Sequence, residues 1–341
     1  LAKGALATTA IEGNTLSEEQ AVEAVRGTLR LPPSQEYLAQ EIKNVIKGFN
    51  SIKDDLGTGG SPSLTVEEIK QFNRWVLEDL PLDEGVVPGE ISTHSVVVGG
   101  YRGAPREDCE HLLQELCHWL NDGVVASSEE MHIPYAIIRA VLAHLYLAWI
   151  HPFGDGNGRT ARLIELKILC AAGLPLPASH LLSNHYNQTR SEYYRQLEHS
   201  SQVPGGDAAS FLAYAVLGFV DGLRTQLELV REQQWDDRWE QYVYETFGGN
   251  TQSPSKQRQL RLVLDLSRAG GAVRRAKLTT LSPEVAAAYA QKTRKTLTRD
   301  LNALSAMGLI EWTADGYRAR REVILAFLPA TPVQRAAEMV A

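Results

Sequence analysis

The sequence has few cysteines and no long uninterrupted apolar run. Its cysteines, Cys109, Cys117 and Cys170, are odd in number and show no spacing typical of a metal site. We therefore predict reduced core thiols of a cytoplasmic protein. No run approaches the roughly 18 consecutive apolar residues of a membrane helix. No charged segment followed by an apolar run opens the chain, so we expect neither a membrane partner nor a signal peptide.

The remaining composition is that of a globular chain. With 341 residues, of which 44% are hydrophobic and 22% charged, the chain is long enough for about two domains. Charge is unevenly distributed: residues 255–341 carry 15 Lys+Arg and 7 Asp+Glu, a net charge of +8. The residues before them carry 19 and 34, a net charge of −15. We expect the two parts to bind different partners.

The segment with the richest chemistry is residues 151–162, His-Pro-Phe-Gly-Asp-Gly-Asn-Gly-Arg-Thr-Ala-Arg. Its glycines free the backbone to adopt positive φ and to approach a ligand closely. Residues 159–169 have the periodicity of an amphipathic helix. Because a glycine-rich turn entering a helix directs unpaired N–H groups and the positive end of the helix dipole at one point, the pattern predicts an anion site.

The side chains of this segment suit phosphate chemistry. Arg159 and Arg162 are three residues apart, so we expect both guanidinium groups over one helix face near the anion site. Asp155 is a hard oxygen ligand of the kind that Mg²⁺ shares with phosphates. His151 can accept a proton near neutral pH. Each feature alone is common in structural roles, but their occurrence within twelve residues favours a functional site.

These twelve residues match the signature His-x-Phe-x-(Asp/Glu)-Gly-Asn-Gly-Arg-x-x-Arg at every defined position, and the chain thus resembles the Fic family. The resemblance implies a mainly α fold: a Fic-type helical bundle with a short β-hairpin flap. It also implies an enzyme that transfers a nucleotide monophosphate from a nucleoside triphosphate to a protein hydroxyl. A phosphate-transferring subgroup has Ala and Lys where this chain has Gly156 and Gly158, so the resemblance favours transfer of AMP from ATP.

The resemblance also implies a role for each motif residue. His151 would be the general base for a Ser, Thr or Tyr hydroxyl, and Asp155 would hold Mg²⁺. The phosphates would be bound by Gly156, Asn157, Gly158, Arg159 and Arg162. Among these, Arg162 would pair with the γ-phosphate. Phe153 is expected to pack in the core beneath the loop.

A second short motif lies near the start of the chain. Residues 2–11 are compatible with a helix that ends at the C-cap glycine Gly13. By spacing alone, Glu12 would be a solvated acid at that helix end. Residues 8–13, however, resemble the inhibitory motif (Ser/Thr)-x-x-x-Glu-(Gly/Asn) of one Fic class. That resemblance implies that Glu12 pairs with Arg162 and blocks productive binding of the γ-phosphate.

Two further segments are candidates for substrate contact. Residues 91–101 predict a β-hairpin, which resembles the Fic flap that aligns a target segment by strand pairing. Its docking residues would be Val96, Val97 and Val98. Residues 182–197 resemble the segment that packs on adenosine, through Tyr193, Tyr194 and Leu197. An edge hairpin without a role and an aromatic core are the alternatives from sequence alone.

The chain is predicted to have four parts: a lead-in with the inhibitory helix at 1–30, a Fic-type helical domain at 31–247 with its core at about 90–200, a linker at 248–254, and a winged helix-turn-helix domain at 255–330. In the last part a basic helix at 291–307 carries Lys292, Lys295 and Arg299 on one face, and a hairpin follows. Both nucleic acid and protein are candidate partners for this domain.

The predicted function is that of a protein adenylyltransferase whose target could include the enzyme itself, and the resemblance adds a homodimer as an expectation. One alternative is removal of AMP from a modified protein, with Glu12 orienting a water molecule. The other is a nucleotide-sensing, DNA-binding regulator. Intact His151 and Asp155 disfavour the regulator, because ligand sensing requires no general base.

Overall fold

A computed structural model describes residues 1–98, 101–123, 128–203, 205–248 and 253–327. The described chain is mainly helical, with two short antiparallel hairpins. It divides into two compact units, Leu1–Thr225 and Gln226–Ala341, and each unit has its own apolar core. The prediction of a mainly α fold with a short hairpin inside the helical part is confirmed.

The first unit is a bundle of helices around one central helix. Its elements are α1 (Ala2–Ile11), α2 (Glu18–Arg26), α3 (Glu36–Gly57), α4 (Val66–Leu77), β1 (Val97–Val98), β2 (Tyr101–Arg102), α5 (Arg106–His118), α6 (His132–Ile150), α7 (Asn157–Ala171), α8 (Leu176–Ser179), α9 (Leu181–Gln188), α10 (Arg190–Gln202) and the first part of α11 (Ala208–Thr246). The central helix is α7, which packs against α1, α3, α4, α6 and α8.

The burial of α7 differs from the amphipathic pattern predicted for it. Residues 157–169 are buried on all sides except at Gly158. Four of its charged side chains are therefore in the core: Arg159, Arg162, Glu165 and Lys167. Buried charges are tolerated where they are paired, and each of these has a partner on another element. The charged side chains were expected to face solvent on one side of an amphipathic helix. They instead form ion pairs and hydrogen bonds inside the bundle.

Helix α6 is the most apolar of the bundle. An 18-residue window within Glu129–Ile150 has a mean hydropathy of 1.6, so by length and composition alone it could cross a membrane, and 44% of it is buried. The core helices of globular proteins have the same composition. α6 packs against α5, α7 and α10. It begins at His132, directly after a 3-10 turn (Glu129–Met131).

The second unit contains α12 (Pro254–Arg268), a 3-10 turn (Arg275–Thr280), α13 (Pro283–Tyr289), α14 (Arg294–Ala306), β3 (Ile310–Thr313) and β4 (Gly316–Ala319). The 3-10 turn lies between α12 and α13. Helix α13 follows it and was not predicted, although Ser282 caps it and Pro283 is its first residue. The hairpin pairs Ile310 with Ala319, as its sequence suggested.

The second unit also begins earlier than the predicted boundary at residue 247. Trp239 and Val243 near the end of α11, and Phe247 directly after it, are buried in its core. Their spacing of four residues places them on one face of the helix, so the last turns of α11 belong to the second core.

A buried carboxylate connects three helices of this unit. Asp300 on α14 accepts hydrogen bonds from Arg258 Nε (2.7 Å), Gln259 Nε2 (2.9 Å) and the Tyr289 hydroxyl (3.0 Å). The carboxylate is fully buried, so these donors replace its hydration and hold α12, α13 and α14 together.

Docking of α1 onto the bundle predicts a pH dependence of stability. A Cβ atom on Gly4 would lie 2.5 Å from Cγ of His180, whose ring is buried and packs 4.5 Å from the ring of Phe49. Burial lowers the pKa of His180 to about 4. The neutral ring is therefore favoured by folding, and its stabilisation is present above the unfolded pKa of about 6.5 and is lost as the pH falls through about 4.

We expect the wild type to lose about 2 kcal/mol more unfolding free energy than His180→Gln between pH 7.5 and pH 4.5. Urea denaturation of both proteins at the two pH values measures this difference. Equal losses in the two proteins would contradict the assignment.

Candidate active site

The loop between α6 and α7 has a backbone that few residues can adopt. His151 caps α6 with φ 49° and ψ 56°, in the left-handed region. Gly156 precedes α7 with φ 77°, and a Cβ there would lie 3.0 Å from Nδ2 of Asn73. Gly156 is therefore required both by its conformation and by close packing, as the glycine pattern predicted.

Two buried amides hold this loop. The Phe153 N–H donates to Asn157 Oδ1 (3.0 Å), and Asn157 Nδ2 donates to the Phe153 carbonyl (2.7 Å). Asn73 Nδ2 donates to the Asp155 carbonyl (2.9 Å). The side chain of Asn157 thus holds the loop through Oδ1 and one of the two hydrogens on Nδ2, and its backbone N–H lies in the first turn of α7, where the phosphate contact was predicted. Phe153 is buried beneath the loop, as predicted.

His151 is oriented as a proton acceptor. Its Nδ1 donates to the Ala148 carbonyl at 3.2 Å, and this bond assigns the tautomer in which Nε2 carries the free lone pair. Burial lowers the pKa of His151, and the Ala148 carbonyl, Glu12 and Asp155 only partly oppose that effect. The ring is therefore neutral at pH 7 and can take up a proton at Nε2.

Arg162 and Glu12 form the ion pair that the sequence resemblance implied. One terminal nitrogen of Arg162 donates to Glu12 Oε1 (2.5 Å) and to the Thr8 carbonyl (2.9 Å). The Arg162 side chain is fully buried, and its other two nitrogens have no partner among the described residues. Burial by itself would raise the pKa of Glu12, but the Arg162 charge and hydrogen bond outweigh it and lower that pKa. Glu12 is therefore ionised at neutral pH.

The Glu12 carboxylate lies at the predicted anion site. A Cβ atom on Gly158 would be 2.2 Å from Glu12 Oε1, so the carboxylate is in contact with the first turn of α7. This turn has unpaired N–H groups and the positive end of the helix dipole, which favour an anion. A carboxylate from the same chain therefore takes the position that suits a phosphate.

Arg159 points away from Arg162, contrary to the predicted shared face. Its terminal nitrogens donate to Glu41 Oε1 (2.9 Å) and to both oxygens of Asp155 (3.1 Å each). The spacing of three residues places the two arginines at neighbouring positions on α7. Their side chains nevertheless diverge, because their acidic partners lie on different sides of that helix. Arg162 is paired at the end of α1, and Arg159 is paired on α3.

The donor set suits a divalent cation that is shared with a substrate. Within the part of the chain that the structure describes, no cluster of three or more His, Cys, Asp or Glu side chains could hold a metal ion by itself. The Asp155 side chain is 49% exposed and offers a single carboxylate. Mg²⁺ commonly keeps several waters and binds through one or two carboxylates together with phosphates. Asp155 therefore fits Mg²⁺ in this mode.

A cavity of about 350 Å³ is lined by part of the predicted site, but not by Asp155, Arg159 or Arg162. Its lining includes His151, Glu12, Gly158 and the predicted adenosine residues Tyr193, Tyr194 and Leu197. The Tyr194 hydroxyl donates to the Ile11 carbonyl at 3.0 Å and so holds the end of α1. Tyr193 is almost fully buried, 2.8 Å from Nε2 of His144, and stacks on Tyr186. Tyr194 is the more accessible of the two rings.

The hairpin β1–β2 is attached to the site loop at its base. The Ser92 N–H donates to the Pro152 carbonyl (2.9 Å), and the Ala104 N–H donates to the Ile150 carbonyl (3.0 Å). Val96 accepts from the Gly103 N–H, and the Val97 side chain is 63% exposed. The turn at 99–100 and the side chain of Val98 lie outside the described residues. Backbone pairing thus fixes the hairpin beside His151.

Sequence reasoning missed several residues that shape the site. Glu41 supports Arg159, Asn73 supports the loop, and His144 lines the cavity. A signal existed for Glu41, because Leu38, Ile42 and Val45 place it on the buried face of α3. A carboxylate on such a face needs a partner. The sequence did not indicate that Arg159 would be the cation that pairs with Glu41.

Fold and site together define a helical domain built around a glycine-rich turn that suits an anion, with a neutral imidazole and buried guanidinium groups beside it. Residues 63–169 match the model of the Fic/DOC family, so this part of the chain is a Fic domain. The matched segment includes the hairpin and the motif. It includes neither Glu12 nor the tyrosines of α10.

Curated relatives carry the same domain. The chain is 30% identical over 210 residues to protein adenylyltransferase fic-1 of Caenorhabditis elegans, covering 61% of this chain and 37% of the relative. It is 31% identical over 209 residues to protein adenylyltransferase Fic of Drosophila mojavensis, covering 60% and 37%. The chain thus spans less than half the length of these relatives.

Solved structures give the same picture of the fold. A structure of a Fic-1 fragment from C. elegans is 28% identical, with a TM-score of 0.53 over 66% of this chain and 62% of that chain. A Fic family protein from Desulfovibrio desulfuricans G20 is 20% identical, with a TM-score of 0.54 over 93% of this chain and 85% of that chain. The second similarity concerns the fold alone.

The bond from Tyr194 to Ile11 predicts a local change in the dynamics of α1. Tyr194→Phe removes the hydroxyl that donates to the Ile11 carbonyl at the end of α1. A hydrogen bond of this kind contributes about 1 kcal/mol to stability. We expect amide exchange in residues 9–13 to become about fivefold faster, with exchange in α7 unchanged.

Hydrogen exchange followed by mass spectrometry measures this effect. Tyr37→Phe is the matched control, because Tyr37 is exposed and has no side-chain hydrogen bond among the described residues. If both variants exchange like the wild type, the hydroxyl does not hold α1.

Proposed function

We propose that this protein is an adenylyltransferase that transfers AMP from ATP to a Ser, Thr or Tyr hydroxyl of a protein, including its own. The observation that carries the proposal is the cavity lined by both a neutral His151 and the carboxylate at the anion site of α7. The names of the relatives support the same activity. Free thiols at Cys109, Cys117 and Cys170 support a cytoplasmic location.

In the proposed reaction the hydroxyl oxygen of the target attacks the α-phosphorus of ATP. His151 Nε2 takes the hydroxyl proton, the bond from the α-phosphorus to the bridging oxygen breaks, and diphosphate leaves. The unpaired N–H groups at the start of α7 would stabilise charge on the phosphate oxygens. Preorganised donors of this kind are typically worth about 10²–10³-fold in rate each. When bound at Asp155, Mg²⁺ would neutralise phosphate charge.

We further propose that Glu12 restrains this reaction. Glu12 pairs with one terminal nitrogen of Arg162. The other two nitrogens are buried without a partner among the described residues, and an anion in the cavity would satisfy them. A γ-phosphate and the Glu12 carboxylate would compete for the same guanidinium group. The β1–β2 hairpin would align the target by pairing its backbone with an added strand.

The first prediction for this function concerns Glu12 and His151. With α-labelled ATP and Mg²⁺, we expect Glu12→Gly to incorporate at least about tenfold more label than the wild type, which corresponds to about 1.4 kcal/mol. Adding His151→Ala to Glu12→Gly should lower the rate by about 10²-fold or more, because the base is lost.

His118→Ala in the Glu12→Gly protein is the control, because His118 is an exposed histidine outside the cavity. Equal labelling by the wild type and Glu12→Gly would rule out restraint by Glu12. Labelling that survives His151→Ala would rule out the proposed base.

Removal of AMP from a modified protein is the second candidate, because Glu12 and His151 line one cavity and Glu12 could orient a water molecule there. The discriminating measurement is release of free AMP from a protein that was modified beforehand. Release by the wild type that is lost in Glu12→Gly would favour removal over transfer.

We also propose that the second unit is a winged helix-turn-helix domain that binds double-stranded DNA. Several exposed cations on α14 and on the segments leading to it form no ion pair among the described residues: Arg274, Arg275, Lys277, Lys292, Arg294, Lys295 and Arg299. The hydrogen bond from Arg275 to Thr298 joins the 3-10 turn to α14. On the hairpin, by contrast, Arg318 is paired with Glu311 and Glu322. The unpaired cations suit phosphates.

For this unit we expect binding to a DNA duplex that weakens steeply with salt. Replacing both Lys295 and Arg299 by Ala should reduce the slope of log K against log salt by about 2. Arg268→Ala, which removes an arginine already paired with Asp265, should leave the slope unchanged. Mobility shifts over a range of KCl concentrations measure the slope. Absence of binding at low salt would favour a protein partner.

A further inference from the structure

Glu41 is a carboxylate that the proposed reaction does not yet use. It lies on α3, its side chain is 12% exposed, and each of its oxygens has one donor. Arg159 donates to Oε1 at 2.9 Å, and Asn14 Nδ2 donates to Oε2 at 2.8 Å. Asn14 is itself held, because its Nδ2 also donates to the Leu38 carbonyl (2.9 Å) and its Oδ1 accepts from the Leu16 N–H (3.1 Å).

Through Arg159, Glu41 is connected to the carboxylate that suits a cation. The buried guanidinium group of Arg159 lies between Glu41 and Asp155 and donates to both. Two carboxylates therefore share one cationic group. Because Glu41 balances the charge of Arg159, the negative charge of Asp155 remains for a second cation.

Removal of the Glu41 charge would change this balance. Arg159 is almost fully buried, so its guanidinium group needs an acidic partner. With Glu41 neutral, Asp155 would be the only carboxylate paired with Arg159 among the described residues. Asp155 would then be held more tightly by the guanidinium group and would bind a divalent cation less well.

We propose that Glu41 is a positioning residue for the divalent cation: it shares Arg159 with Asp155, so that the Asp155 carboxylate keeps negative charge with which to bind the ion. The inference rests on the proposed function in that the cation is the one shared with ATP. Asn14 fixes the second oxygen of Glu41 and keeps the carboxylate directed at Arg159. Residues that orient a metal ligand in this way typically change metal affinity by about 10- to 100-fold when replaced.

The test uses the full chain with Glu12→Gly, to which Glu41→Gln, Asn14→Ala or the control Glu36→Gln is added. Glu36 also lies on α3 but is exposed and forms no ion pair among the described residues. The first readout is binding of Mn²⁺ by electron paramagnetic resonance, with a non-hydrolysable ATP analogue present. The second is the Mg²⁺ dependence of AMP transfer at saturating ATP, with melting temperatures as a check on folding.

We expect Glu41→Gln to weaken Mn²⁺ binding and to raise the Mg²⁺ concentration for half-maximal rate by about 10- to 100-fold. The rate at saturating Mg²⁺ should change much less, which a purely structural role would not produce. Asn14→Ala should shift both quantities in the same direction by a smaller factor. Glu36→Gln should match its parent.

Unchanged Mn²⁺ and Mg²⁺ titrations in Glu41→Gln would overturn the inference, as would a loss of rate without any shift in cation dependence. If Glu41→Gln does not fold, Asn14→Ala decides, and an unshifted titration then overturns it. If no variant transfers AMP but the Mn²⁺ titration shifts, the proposed function fails while the role of Glu41 stands.

Discussion

The structure of the first unit depends on the pairing of charges that are buried along α7. A helix at the centre of a bundle loses its contact with water, so each charged side chain on it needs a partner within the protein. On α7 these side chains are Arg159, Arg162, Glu165 and Lys167. Their partners are Glu41, Glu12, Tyr186 and Glu68. Because the partners come from α3, the end of α1, α9 and α4, pairing fixes the helices around α7.

Under the proposed function, the same pairing creates a site that either Glu12 or a phosphate could occupy. Arg162 keeps two buried nitrogens without a partner among the described residues, and leaving such donors unsatisfied is costly. Glu12 neutralises the Arg162 charge from within the chain but bonds to one nitrogen only, and a phosphate could accept from more of them. Since Tyr194 holds the carbonyl of Ile11 directly before Glu12, the carboxylate is presented by a fixed helix end. In the proposed function, restraint by Glu12 and binding of the phosphate would both depend on this one guanidinium group.

Much of this site could be predicted from local sequence. The glycine at 156, the neutral imidazole at 151 and the pairing of Glu12 with Arg162 all agree with the predictions. The mainly helical fold, which the resemblance implied, agrees with the structure, and α2 and α4 begin with capping boxes at Ser17 and Thr65. Local patterns succeed here because a capped helix and a left-handed turn depend on residues only a few positions apart.

The sequence by itself determined the helices, the turn that enters α7 and the residue types needed for phosphate chemistry. Only the tertiary structure decided that α7 is buried on every side, that Arg159 turns to Glu41, and that Asn157 is used inside the loop. It also decided that the end of α11 joins the second core. These outcomes depend on which distant side chain meets each charge or apolar face. That choice comes from packing between segments far apart in the chain, and neither periodicity nor spacing encodes it.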